Sequence, residues 1–120
     1  MAKITLADVV QHDDFIFALC SFVDEFKRTA DKYEMIAFPP PAAGVELENL
    51  CMLAGTAHKL ANDFGIPTPE WVSDPKYIMP HPVFAFGTQN EEYQQFLLGD
   101  TPYEFSSKNM YVGSNAIERV

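Results

Sequence analysis

The sequence predicts a mostly α protein: an antiparallel pair of long helices covered by short C-terminal helices and an irregular cap rich in proline and aromatic residues. Two apolar stripes at helical spacing, one on each side of Pro39-Pro40-Pro41, predict the pair. Six prolines between residues 67 and 102 predict the cap, because proline breaks both helices and central strands. At 120 residues the chain fits one domain over 1–120, with the helical pair and its proline linker (38–44) in 1–65 and the cap in 66–120.

The elements follow in order. Thr5-Leu6-Ala7-Asp8 has the form of a capping box, a hydroxyl for a backbone N–H with an acid three residues on, and starts a first helical turn or two. Asp13 and Asp14 stand where a helix N-terminus favours negative charge. Phe15, Leu19, Phe22, Phe26, Ala30 and Tyr33 then fall on one helix face, which Ile16, Cys20 and Val23 widen. The helix stops before Pro39, and Phe38 to Gly44 reads as a stiff, extended linker.

From Val45 a second stripe carries Leu47, Leu50, Ala54, Ala57, Ala61 and Phe64, with Gly65 as its C-terminal cap. The small residues Ala54, Gly55, Ala57 and Ala61 let another helix come close. Asp74-Pro75 starts a single turn through Met79, and Asn90-Glu91-Glu92 starts a helix through Leu98 that Gly99 ends. Thr101-Pro102-Tyr103-Glu104 supplies a hydroxyl cap, a proline at the first helical position and an acid at the third. Met110-Tyr111-Val112 is long enough for a minimal strand, and Gly113-Ser114 opens a last turn ending at Val120.

Seventeen acidic residues against eight basic ones give a formal charge of −9, and only Lys27 and Arg28 are adjacent among the cations. Nucleic-acid binding is disfavoured, since phosphate contacts need a clustered basic face. No apolar run approaches the roughly 20 residues of a membrane helix, so no membrane contact is expected. Cys20 and Cys51 sit in apolar helical stretches, and charged residues interrupt every early apolar run. Free buried thiols and a cytoplasmic protein are the expectation.

Chemistry-bearing patterns are missing from the sequence. Cys51 and His58 share a helix face seven residues apart, but structural zinc needs ligand pairs two to four residues apart, so no metal and no cofactor is expected. The same two residues could furnish a small enzyme or ligand pocket between the helices. Against that, a catalytic thiolate wants an electropositive, exposed setting, and both cysteines sit among Leu, Phe and Met. No catalytic residue is assigned. The adjacent acid pairs Asp13-Asp14, Asp24-Glu25 and Glu91-Glu92 point in different directions on a helix and read as caps and solvated faces.

Aromatic residues are the remaining signal. Trp71, with prolines at 67, 69 and 75, reads as a plug for the open end of the helix pair or as a binding anchor. Tyr77, Phe84, Phe86, Tyr93, Phe96, Tyr103, Phe105 and Tyr111 are more than a thin cap can hide. Trp71, Tyr77, Phe84, Phe86, Tyr103, Phe105, Lys108 and Tyr111 are therefore the candidate partner contacts.

The proline-interrupted linker, then Leu53-Ala54-Gly55-Thr56-Ala57 with Leu60-Ala61, then Gly65-Ile66-Pro67 and Pro69-Glu70-Trp71, resembles a family of small uncharacterised bacterial proteins. The tail from Phe105 to Val120 resembles that family's ending, an F-R-R-R-N-I-F-V-like block followed by a small helix ending in R-V. Members occur alone or as C-terminal extensions of helix-turn-helix regulators, in toxin–antitoxin or phage-defence neighbourhoods. The resemblance implies an antitoxin-like role with a protein partner, a toxin or a defence protein. Here Ser106-Ser107-Lys108 replaces the arginine block, and no helix-turn-helix segment precedes the family-like region, which removes the support for a nucleic-acid role.

The expectation from sequence is thus a non-enzymatic, antitoxin-like or regulatory protein-binding module, able to form oligomers. An acidic nucleic-acid mimic and a small enzyme or ligand-binding protein built on Cys51 and His58 are the alternatives.

Overall fold

A computed structural model of the chain describes residues 4–113, with Phe86 described in its backbone alone. The fold is mostly helical, as expected. The turn expected to end at Val120, and the part of the family-like ending over 114–120, lie outside the described residues.

Helix α1 (Leu6–Gln11) starts on the expected capping box: the Asp8 N–H donates to the Thr5 hydroxyl at 3.1 Å, and the Thr5 N–H donates to the Asp8 carboxylate at 2.9 Å. Two N–H groups that no helical carbonyl can reach are satisfied at once. Helix α2 (Phe15–Arg28) starts on Asp14, whose carboxylate accepts the Phe17 N–H at 3.0 Å.

The apolar stripe through Ala30 and Tyr33 predicts one continuous helix there, and the structure breaks it. Thr29 is extended (φ −81°, ψ 149°), and a separate short helix α3 runs over Lys32–Ile36. The break is stabilised locally. The Thr29 hydroxyl accepts the Asp31 N–H, and the Lys32 ammonium donates to the Thr29 carbonyl at 2.7 Å, placing a cation on the carbonyls at the end of α2.

Helix α4 (Leu47–Asp63) ends as its sequence predicts. Gly65 adopts φ +67°, the Ile66 N–H reaches back to the Ala61 carbonyl at 3.0 Å, and the Gly65 N–H to that of Asn62 at 3.3 Å. That pair of bonds is a Schellman closure, which glycine makes without steric cost.

Helices α2 and α4 both contribute to one core, where Phe22, Val23 and Phe26 join Leu53, Ala57 and Ala61, while Ile16 of the first stripe and Leu47 and Phe64 of the second stay exposed. Each fully buried Phe or Leu contributes about 1.5–3 kcal/mol relative to exposure. The first turns of α2 and α4 line one cleft, and Phe26 near the end of α2 meets Phe64, just past α4, edge-on with ring centroids 5.5 Å apart. Residues 29–46, with α3 and the extended proline segment, carry the chain from one helix to the other.

Beyond Gly65 the chain forms short 3₁₀ turns at Glu70–Ser73, Pro75–Tyr77 and Ala85–Gly87, helix α5 (Glu91–Asp100), and helix α6 (Tyr103–Ser106). Strands β1 (Val83–Phe84) and β2 (Met110–Tyr111) pair in parallel, Val83 opposite Met110 and Phe84 opposite Tyr111. Asp74 caps its turn and Asn90 caps α5 as expected. Gly99 does not end α5, which continues to Asp100. Thr101 is reassigned: its hydroxyl donates to the Leu97 carbonyl at 2.7 Å and accepts the Gly113 N–H at 3.0 Å, so it closes α5 and anchors the end of β2 instead of capping α6.

Candidate binding cleft

A cleft of about 1040 Å³ opens between the first turn of α2, the first turns of α4 and the small sheet. Its apolar wall comes from Phe15, Ile16, Met52, Val83, Met110 and Val112. Met110, in β2, and Val112, just past it, both line the cleft, while Tyr111 between them stacks on Phe84 with centroids 5.5 Å apart. Val83, opposite Met110, extends that apolar floor.

The lining is also acidic. Asp13, Asp14 and Glu48 border it, and no cation does among the described residues. Asp14 has a structural duty as the α2 cap, which leaves the exposed Asp13 and Glu48 as the charges available to an occupant. Ile16 stands 61% exposed beside them. An acidic border over an apolar floor accommodates an apolar segment that carries a cation.

The structure distributes the eight sequence-predicted contacts differently from an open patch. Phe84 lines the cleft and Tyr111 backs it. Tyr103 is 71% exposed, its ring edge-on to His58 at 6.3 Å. Trp71 is half-buried: its indole N–H donates to the Ile36 carbonyl at 2.8 Å and its ring meets Tyr77 edge-on at 5.5 Å, tying the 3₁₀ turn to α3. Tyr77 and Phe105 are buried in the core and offer no surface. The Phe86 side chain lies outside what the structure describes.

Lys108, the one basic member of the set, is buried too. Its ammonium donates to the Val72 carbonyl at 2.6 Å, and burial lowers its pKa, opposed by the nearby Cys51. It bridges the end of α6 to the turn at Glu70–Ser73. Of the cleft lining, the sequence-predicted contacts include only Phe84; the other lining residues were missed, and among them only the acids before Phe15 gave any signal, read as caps.

Cys51 and His58 also fall near Lys108. Burial pushes the Cys51 thiol up to about 11, against the Lys108 charge and with that of Glu48, so the thiol stays protonated and weakly nucleophilic at neutral pH. In the folded protein an iodoacetamide-type reagent is expected to modify Cys20, which is half-buried, well before Cys51, and both in urea. Equal rates for both thiols in the native state would contradict this placement.

The His58 pKa is lowered by burial and by Lys108, with Glu104 opposing, and its Nδ1 has no hydrogen-bond partner among the described residues. Burial raises the Glu104 carboxyl, but the Asn62 amide at 2.7 Å, its own backbone N–H and the Lys59 and His58 charges hold it below the usual value. The unfolded chain therefore binds a proton at His58 before the folded one does. Stability contributed here is complete above the ordinary histidine pKa of about 6.5 and falls as pH drops below it. Urea midpoints are expected to decline from neutral pH towards pH 5 in the parent and to flatten over that window in His58→Gln; an unchanged slope would contradict the assignment.

No group of three or more metal-ligating side chains occurs among the described residues, and no helix there is long and apolar enough to cross a membrane. Comparison with protein families, with curated proteins and with solved structures finds no match for this chain.

Proposed function

We propose that this protein is a non-enzymatic binding module that holds a segment of a partner protein in the cleft between α2, α4 and the β1–β2 pair. The observation that carries the reading is the combination of an apolar floor with the Asp13 and Glu48 carboxylates at its border and no cation in the lining among the described residues. The occupant is an apolar segment bearing lysine or arginine. A formal charge of −9 favours encounter with such a partner. A regulatory or antitoxin-like role fits this chemistry, with the partner's basic segment masked while bound, and a cytoplasmic setting suits the free thiols.

The test is calorimetric titration with a synthetic peptide alternating leucine and lysine, and with its glutamine analogue. Saturable binding is expected for the basic peptide, about tenfold weaker for the neutral one, and weakened by salt. Glu91→Gln/Glu92→Gln, away from the cleft, is expected to leave it unchanged. Equal weakening by that distant pair would mean unspecific charge attraction and would overturn the reading.

A further inference from the structure

The segment Phe38-Pro39-Pro40-Pro41 is explained neither by the core nor by the cleft. Covalent geometry fixes its shape. Each proline holds φ near −65°, and Phe38, Pro39 and Pro40 each precede a proline, which disfavours the helical region and favours the extended polyproline conformation. Three consecutive restrictions of this kind leave a left-handed helix with three residues per turn.

The burial pattern matches that period. Phe38, Pro39 and Pro41 are exposed and Pro40 is buried, so one edge of the three-sided helix rests on the protein and two face outward. Phe38 and Pro41, one turn apart, share an outer edge about 9 Å long. At 78% Phe38 is the most exposed large hydrophobic residue among those described. Single exposed apolar residues are ordinary. This one is displayed on a rigid edge with a proline one turn away.

Both ends of the segment are tied down. The Ile36 carbonyl accepts the Trp71 indole N–H at 2.8 Å just before it, and just after it the Val45 N–H closes on the Ala42 carbonyl at 3.1 Å, through a turn containing Gly44 at φ +74°. A linker needs stiffness only. Here the ends are anchored and the apolar edge points outward, so a partner binding it would have little chain to order.

We infer that Phe38–Pro41 is a built-in ligand for a polyproline-reading module, one whose aromatic-lined groove grips two edges of such a helix. Prolines and the phenylalanine fill the apolar slots, and the backbone, without internal hydrogen bonds, presents free carbonyls to donors on the groove rim. This surface is separate from the cleft, whose lining contains none of these residues.

The test titrates the full chain into three isotope-labelled probes, an SH3, a WW and an EVH1 domain, followed by NMR. Saturable shifts are expected with at least one, about tenfold weaker for Phe38→Ala and for Pro41→Ala. Both residues are exposed, so the variants should keep the parent's circular dichroism, and Asp13→Asn/Glu48→Gln should bind the probe as the parent does. No saturable binding to any of the three, or equal affinity of the parent and both variants, would overturn the inference.

Discussion

Replacing Phe105 by alanine is expected to destabilise the protein by about 3–5 kcal/mol, a large share of the 5–15 kcal/mol that holds a typical domain together. Phe105 is fully buried and seats α6 against α4 at Gly55. A methyl group at Gly55 would stand 2.6 Å from the Phe105 ring Cδ1 and 3.3 Å from the Glu104 carbonyl oxygen. Two effects of Gly55→Ala oppose each other. Alanine gains about 1 kcal/mol of helix propensity in the middle of α4. Overpacking against the buried ring costs about 1–3 kcal/mol and wins, because a fully enclosed ring has no room to swing away from a 2.6 Å approach.

Gly55→Ala is therefore expected to destabilise, and in the Phe105→Ala background, where the ring is gone, its cost should shrink or reverse. Urea unfolding followed by Trp71 fluorescence measures all three variants. Stabilisation by Gly55→Ala alone would mean that α6 does not pack in the glycine notch.

Reversing the cleft charges has the second large effect. Asp13→Lys/Glu48→Lys turns two attractions for a basic segment into two repulsions. At the effective dielectric of a protein surface each close charge pair is worth a few kcal/mol before screening, so a loss of about 30- to 100-fold in affinity for the leucine–lysine peptide is expected. Asp14 is left intact because removing the α2 cap would itself cost about 1 kcal/mol of stability. An unfolding midpoint equal to the parent's separates lost binding from lost structure, and unchanged affinity would leave the acidic border without a role.

What the sequence disclosed and what it concealed divide along physical lines. The Thr5–Asp8 box, the Asp14 and Asn90 caps and the Gly65 closure were legible because each is decided within a few residues by backbone hydrogen bonds. The break at Thr29 was not, because Ala30 and Tyr33 continue the apolar period while the Lys32 ammonium, a side chain with no periodic signature, secures the helix end. Thr101 carried a good N-cap signal for α6, and two competing partners, the Leu97 carbonyl and the Gly113 N–H, took its hydroxyl.

Phe105 and Lys108 read as surface residues because a glycine notch and a carbonyl at Val72 cannot be inferred from their neighbours in sequence. The cleft was hidden for a related reason. Residues 13–16, 48–49, 52, 82–85, 87–88, 110 and 112 meet only once the chain returns through α3 and the proline segment.

Site-specific photo-cross-linking in the cell that produces the protein tests the central claim most directly. A benzoylphenylalanine at Ile16, exposed on the cleft, is compared with one at Ser73, exposed in the turn at Glu70–Ser73 and outside the cleft lining. The account predicts one predominant protein adduct from position 16, cross-linked through a segment bearing lysine or arginine, lost with Asp13→Lys/Glu48→Lys and absent from position 73. No adduct at position 16, or the same adducts from both positions, would contradict it.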